Sequence, residues 1–154
     1  MQVEIVNFPL TRVAAIDHFG SPATEHDTVR RLVAWKLREN LTDPVRYRHY
    51  GVHFTDPGTT APEDHHVQFC ISVEEAVRPN DFGVVDATIP PHRCALARDL
   101  GSRHDNKAAA FLYEQWLPKS GETQASYPIF FHYVNVGPNL APAQMITDVY
   151  LPLA

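Results

Sequence analysis

Residues 9–35, PLTRVAAIDHFGSPATEHDTVRRLVAW, return once as residues 90–116, PPHRCALARDLGSRHDNKAAAFLYEQW, and that return decides the fold. The shift is 81 positions throughout, aligning Pro9 with Pro90, Arg12 with Arg93, Ala14 with Ala95, Gly20 with Gly101, Ser21 with Ser102 and Trp35 with Trp116. It also carries Pro57 onto Pro138. The chain has 2 Trp, and both fall in register beside a Gly-Ser pair, which chance matches of common residues do not produce. A period this long exceeds the roughly 20–50 residues of a solenoid repeat, so the reading is two copies of one small α+β unit.

The 154 residues form a single domain of two repeats, about 1–78 and about 82–154, and either repeat alone would bury too little surface to be comfortably stable. A shared core is therefore expected. With 44% hydrophobic and 20% charged residues the chain has the composition of a soluble globular protein. A formal charge of −5 argues against direct nucleic-acid binding, which needs a basic stripe, and favours cationic or neutral ligands. No apolar run is long enough to cross a membrane, and the acid in MQVEIVNF does not fit a signal peptide. A cytoplasmic location follows as the default. Cys70 and Cys94, in the apolar runs FCISV and RCALA, read as free buried thiols.

Residues 2–6 alternate polar and apolar, and residues 12–19 are apolar enough for a buried strand; the two are expected to pair antiparallel. A helix is predicted from Thr24, as N-cap with Asp27 a weak capping-box partner, to about Glu39, with Val29, Leu32, Val33 and Leu37 as its apolar stripe. Strands follow at residues 46–54 and 65–73. In the latter, alternation puts Val67, Phe69 and Ile71 on one face and His66, Gln68, Cys70 and Ser72 on the other. Residues 74–82 link the copies. The second copy repeats the order: strands at 84–89 and 93–100, a helix from about Asn106 that Pro118 closes, and strands at 128–134 and 144–151. Each copy is β-β-α-β-β, an α+β arrangement of antiparallel sheets with two helices.

Two copies of one unit meet about a pseudo-twofold axis, and a ligand cleft is expected on that axis. The 81-residue shift pairs Tyr50 with Phe131 and Val52 with Tyr133; Tyr50 and Val52 lie two apart on one strand, as Phe131 and Tyr133 do on the other, so each couple shares a face. Together with Phe54, Phe69, Trp116 and Tyr150 they would give an aromatic, largely uncharged lining. The competing reading, that aromatics at such spacing are core, stands beside it.

The chain resembles the GyrI-like small-molecule-binding family, the fold of the effector-binding half of AraC- and MerR-type multidrug regulators. The resemblance is carried by Arg12-Val13-Ala14 with Gly20-Ser21, YGVHFTDPGTTAPED from Tyr50, WLPKSGE from Trp116, PIFFHY from Pro128 and the closing TDVYLP. It implies two fused units with a groove between them and the binding of bulky hydrophobic molecules, cations among them. Some members are described as DNA gyrase inhibitors, and a subset hydrolyses strained small molecules. One position departs: Phe131 stands where the family's Pro-x-Phe-Glu-x-Tyr pattern has its acid. An aromatic face recovers only roughly 0.5–2 kcal/mol of what a carboxylate gives a cation, so both the cation-binding and the hydrolase readings are weakened. Asp148 and Glu114 are the candidate substitutes.

His49, His53, His65, His66 and His132 invite a metal reading, but His49 and His53 would stand about 13 Å apart on a strand, too far for one ion. No metal site, cofactor motif, nucleophile elbow or phosphate-binding glycine loop is present. The expectation is a non-enzymatic, stand-alone domain, since the first strand starts at residue 2, binding a hydrophobic small molecule through Tyr50, Val52, Phe54, Phe69, Trp116, Phe131, Tyr133, Asp148 and Tyr150. The alternatives are a protein-interaction module with a partner such as DNA gyrase, and a small hydrolase of reactive compounds.

Overall fold

The computed structural model describes residues 1–56 and 58–154, so the Pro57–Pro138 correspondence lies outside the described residues. The chain forms β1 (Val3–Phe8), β2 (Thr11–Phe19), α1 (Glu25–Arg38), β3 (His49–His53), β4 (His66–Ser72), β5 (Val85–Ile89), β6 (His92–Leu100), α2 (residues 107–120, in three helical segments), β7 (Phe130–Tyr133) and β8 (Ile146–Pro152). It divides into two compact units: unit 1 is Met1–Leu10 with Pro90–Ala154, and unit 2 is Thr11–Ile89. Every strand pair within a unit is antiparallel, in the order β1-β6-β8-β7 in unit 1 and β5-β2-β4-β3 in unit 2.

The expected β1–β2 hairpin does not form. β1 pairs with β6, placing Val6 opposite Cys94 and Phe8 opposite His92, and β5 pairs with β2, placing Ile89 opposite Thr11. The joints are the reason. Pro9-Leu10 and Pro90-Pro91 link the strands, and tight hairpins need residues at positive φ, which proline's fixed φ forbids. Each first strand therefore belongs to the unit built from the other copy.

In unit 2, α1 buries Leu32 and Trp35 (2% and 4% exposed) against Ala14, Ile16, Val67, Phe69 and Ile71. In unit 1, Ala108 and Leu112 (both 0% exposed) sit against Ala95, Ala97, Val149, Leu151 and Phe131. Alanines on β2 and β6 let the helices approach closely. The start of α1 differs from expectation: Thr24 makes no side-chain cap bond, and Ser21 instead caps a preceding 3₁₀ turn at Pro22–Thr24 by accepting from the Ala23 N–H. The strand expected from residue 46 starts at His49, because Asp43 folds the chain into a turn, accepting from the amides of Val45 and Arg46.

Pro118 does not close the second helix. α2 is α-helical over Lys107–Phe111, π-helical over Leu112–Trp116 and α-helical again over Leu117–Ser120. Proline has no N–H and its ring crowds the carbonyl four residues back, and one widened turn relieves both conflicts. The Leu117 N–H accordingly bonds the Leu112 carbonyl, five residues back. Beyond that turn the apolar stripe moves on: Trp116 and Leu117 pack on the core, while Tyr113 is 37% exposed.

The two units agree in their hydrogen bonds, but with two shifts rather than one. Up to the end of each helix the shift is 81, and Asn40 and Gly121 both take positive φ there (59° and 75°). After the helices it is 80. The 3₁₀ turn Pro62–Asp64 answers to Pro142–Gln144, Gly20 N–H bonds His65 O as Gly101 N–H bonds Met145 O, and Phe54 N–H bonds His66 O as Val134 N–H bonds Ile146 O. The true counterpart of Tyr50 is thus Phe130, and that of Phe131 is Gly51. A one-residue slip on a strand turns a side chain to the other face, so the expected Tyr50–Phe131 and Val52–Tyr133 equivalence does not hold.

Candidate functional site

The structure gathers three of the expected residues, Trp116, Phe131 and Tyr133, on the helix-covered face of unit 1. Phe131 is the floor, 9% exposed, and Trp116 and Tyr133 are half-buried rings packed against the same cluster. Phe131 and Tyr133 meet edge to face, with ring centroids 6.5 Å apart at 78°. Trp116 owes its position to the widened turn of α2. The counterparts of Phe131 and Tyr133 in unit 2 are Gly51 and His53, and the counterpart of Trp116, Trp35, is 4% exposed. The cluster of partly open aromatic rings is therefore a feature of unit 1 and is not imposed by packing in both copies.

Arg103, which the sequence reading passed over, completes this cluster. Its guanidinium lies over the Tyr133 ring, 5.0 Å from the centroid. Nε donates to Thr147 Oγ1 (2.8 Å), and Nη2 donates to Asn135 O (2.8 Å), Asn135 Oδ1 (3.3 Å) and Ile146 O (2.9 Å). Burial pushes the guanidinium below its usual value, with the Tyr133 hydroxyl opposing that shift. At the matching place in the first copy stands Pro22. The signal that would have found Arg103 is this asymmetry, a cation where the repeat has a proline, inside the loop after Gly101-Ser102.

The other expected residues lie elsewhere. Tyr50 and Val52 pair with Cys70 and Gln68 on the face of unit 2 turned away from α1 and are 2% and 0% exposed, with Arg48 5.8 Å from the Tyr50 ring centre. Phe69 belongs to the core under α1. Phe54 is 42% exposed and stacks on His66 at 4.6 Å; Phe19 stacks on the same imidazole at 4.2 Å. Tyr150, on the face of unit 1 away from α2, stacks on Phe130 at 5.0 Å, with Phe8 edge-on to both rings. Asp148 lies on that same face, 8% exposed, and Arg98 spans both its oxygens at 2.8 and 3.0 Å. The carboxylate's charge is already compensated by that guanidinium, and it lies on the face opposite Phe131, so Asp148 is a poor substitute for the acid absent there. Glu114 is exposed on α2.

Unit 2 also has an open hollow of about 500 Å³, beside the end of α1, with Trp35, Tyr47, Val73 and Val77 among its walls. Around it Arg46 pairs with Glu74 and Arg78 with Glu39, while Glu75 makes no ion pair among the described residues. His53 is pushed down to about 4, first by burial and then by the neighbouring His65. Lys36, whose Nζ lies 3.0 Å from His49 Nε2, is lowered by burial. Burial raises both cysteine thiols, Cys94 to about 12, and neither forms a disulfide. Among the described residues no group of three His, Cys, Asp or Glu side chains is placed to hold a metal ion, and no helix is long and apolar enough to cross a membrane.

Relatives match the chain over its full length. It is 34% identical over 155 residues to the probable transcriptional regulator YgiV of Escherichia coli K12, covering 100% of this chain and 97% of that one. It is 26% identical over 166 residues to the DNA gyrase inhibitor of Erwinia billingiae, covering 100% and 98%. Among solved structures it is similar to the EcmrR C-terminal domain, with TM-score 0.75 at 13% identity over 99% of this chain and 97% of that one. Against EcmrR in its DNA complex the TM-score is 0.78 at 13% identity, and the chain, matched over 99%, spans 57% of that protein's length. SAV2435 bound to tetraphenylphosphonium shares the fold at TM-score 0.56 and 9% identity, over 100% of this chain and 94% of that one. A model of the GyrI-like small molecule binding domain matches residues 1–154, and the chain belongs to that family.

Proposed function

We propose that the protein binds a hydrophobic, aromatic small molecule against Trp116, Phe131 and Tyr133 of unit 1. The observation that carries this reading is the pair of half-buried rings on a buried Phe131 floor, at strand positions where unit 2 has Gly51 and His53. Partly exposed aromatic rings side by side stack a flat ligand and hold it by apolar area and ring contact. The family's small-molecule role supports the reading.

The test is a melting-temperature screen against neutral aromatics. Saturation a hundredfold above Kd stabilises the folded state by about 2.7 kcal/mol, which for a chain of this length raises Tm by roughly 5–10 °C. The rise is expected with the wild type and is lost in Trp116→Ala and Tyr133→Ala, while Phe54→Ala retains it. Absence of any rise, or equal loss in all three variants, would remove this site from consideration.

Similarity to a DNA gyrase inhibitor favours a second reading, a protein-interaction role with gyrase as partner. Co-elution with purified gyrase and inhibition of supercoiling are its expected signs; failure of both sets it aside.

A further inference from the structure

The charge around the Trp116 site points to a class of ligand, an inference that rests on the binding reading above. We propose that the site takes an aromatic or hydrophobic anion, in the simplest case an aromatic carboxylate, with Arg103 as its counter-charge.

Arg103 has only neutral protein partners. All four of its acceptors, Thr147 Oγ1, Asn135 O, Asn135 Oδ1 and Ile146 O, are uncharged. Nη1 donates to none of the described residues, and no carboxylate oxygen of theirs lies within 4.0 Å of the guanidinium. The nearby acids in sequence are otherwise placed. Asp99 is buried and accepts from the Ala108 N–H at 3.0 Å, with Lys107 Nζ 4.0 Å away, and Asp105 is exposed. This half-buried cation has only neutral protein acceptors, and Nη1 is left open to solvent and to a ligand. Arg12, Arg46, Arg78, Arg93 and Arg98 each pair with a carboxylate, whereas Arg30, Arg31, Arg38 and Arg48, like Arg103, have none within 4.0 Å among the described residues; of these five, Arg103 is the one whose guanidinium is held by side-chain hydrogen bonds.

Uncharged aromatic rings sit beside that cation. Tyr133 offers its ring to Arg103 at 5.0 Å, and Phe131 occupies the adjacent floor position with no charge at all. A cationic ligand stacked on Tyr133 would face the guanidinium across the same ring with no acid to offset the repulsion. An anion would instead stack on the rings and accept from Nη1, and a planar carboxylate matches the guanidinium's donor geometry. The chain's net charge of −5 suggests cations, but at a half-buried site the nearest charge outweighs distant, solvent-screened ones.

Three probes of one shape separate the possibilities: 2-naphthoate, 2-naphthamide and 2-naphthyltrimethylammonium, titrated into the full chain by calorimetry. A charge-assisted hydrogen bond predicts naphthoate about tenfold tighter than naphthamide, and the ammonium weakest. Arg103→Gln should bring the naphthoate-to-naphthamide ratio close to one. Arg103→Lys, which keeps the charge, should retain a preference for the carboxylate, and it covers the case in which Arg103→Gln fails to fold. The preference among the three probes in the wild type stands without any variant. If naphthamide binds but naphthoate binds no tighter, or the ammonium binds best, or Arg103→Gln leaves the ratio unchanged, the anion assignment is overturned and the aromatic site stands. If none of the three binds, both fall together.

Discussion

At the scale of single residues, the surroundings of Phe131 turn on Asp148, an acid on the neighbouring strand whose two oxygens Arg98 spans. The acid missing at Phe131 was legible in the sequence, and so was the aromatic run around it. What no pattern showed was that Asp148 is consumed by Arg98, because ion pairing depends on which strands lie side by side. His53 carries a residue-scale prediction. Its folded value of about 4 lies below the ordinary 6.5, because burial disfavours the charged ring and His65 adds to the effect. A base depressed in this way binds its proton better when unfolded. Its stabilising contribution is therefore complete above pH 6.5, declines as pH falls through the window from 6.5 to 4, and is gone below it. The full effect is at most about 3 kcal/mol. Urea midpoints measured across that window should fall, and His53→Gln should flatten the fall; an unchanged pH profile in the variant would locate the titrating group elsewhere.

At the scale of elements, the repeat was readable because Gly-Ser turns and helix tryptophans tolerate few substitutes at their positions. The slip from 81 to 80 was not readable. It falls between the helix end and β7, in a segment whose residues differ between copies, and only strand register reveals it. The exchange of first strands was likewise hidden, although the prolines at its joints were in view. This exchange predicts which cysteine depends on β1. Cys94 is 0% exposed and lies opposite Val6, whereas Cys70 is 1% exposed and lies between β2 and β3. Deleting residues 1–8 removes the strand beside Cys94 and none beside Cys70. Mass-spectrometric thiol labelling of the truncated chain should modify Cys94 fast and Cys70 at the rate seen in the full chain. Equal acceleration of both would mean that unit 2 also needs β1, and protection of both would contradict the β1–β6 pairing.

At the scale of the molecule, the net charge and the charge at the Trp116 site have opposite signs, and binding kinetics can tell them apart. Five negative charges act on an approaching anion with roughly 1 kcal/mol of unscreened repulsion at about 20 Å in water. At 10 mM salt, where the screening length is about 30 Å, roughly half of that remains; near 150 mM, where it is about 8 Å, little does. A ligand carboxylate bound to half-buried Arg103, as proposed, would make a short contact partly shielded from solvent, which salt weakens less. The association rate of 2-naphthoate should therefore rise about twofold between these salt concentrations, against the usual fall for an anion meeting its cationic site, while its dissociation rate changes little. 2-Naphthamide, uncharged, should show neither change. Stopped-flow quenching of tryptophan fluorescence reads both rates, with Trp35→Phe leaving Trp116 as the reporter. A rate for naphthoate that falls with salt would mean that local positive potential already dominates at the distance of first encounter. It would also mean that the acidic balance of the whole chain has no bearing on which ligands reach the site.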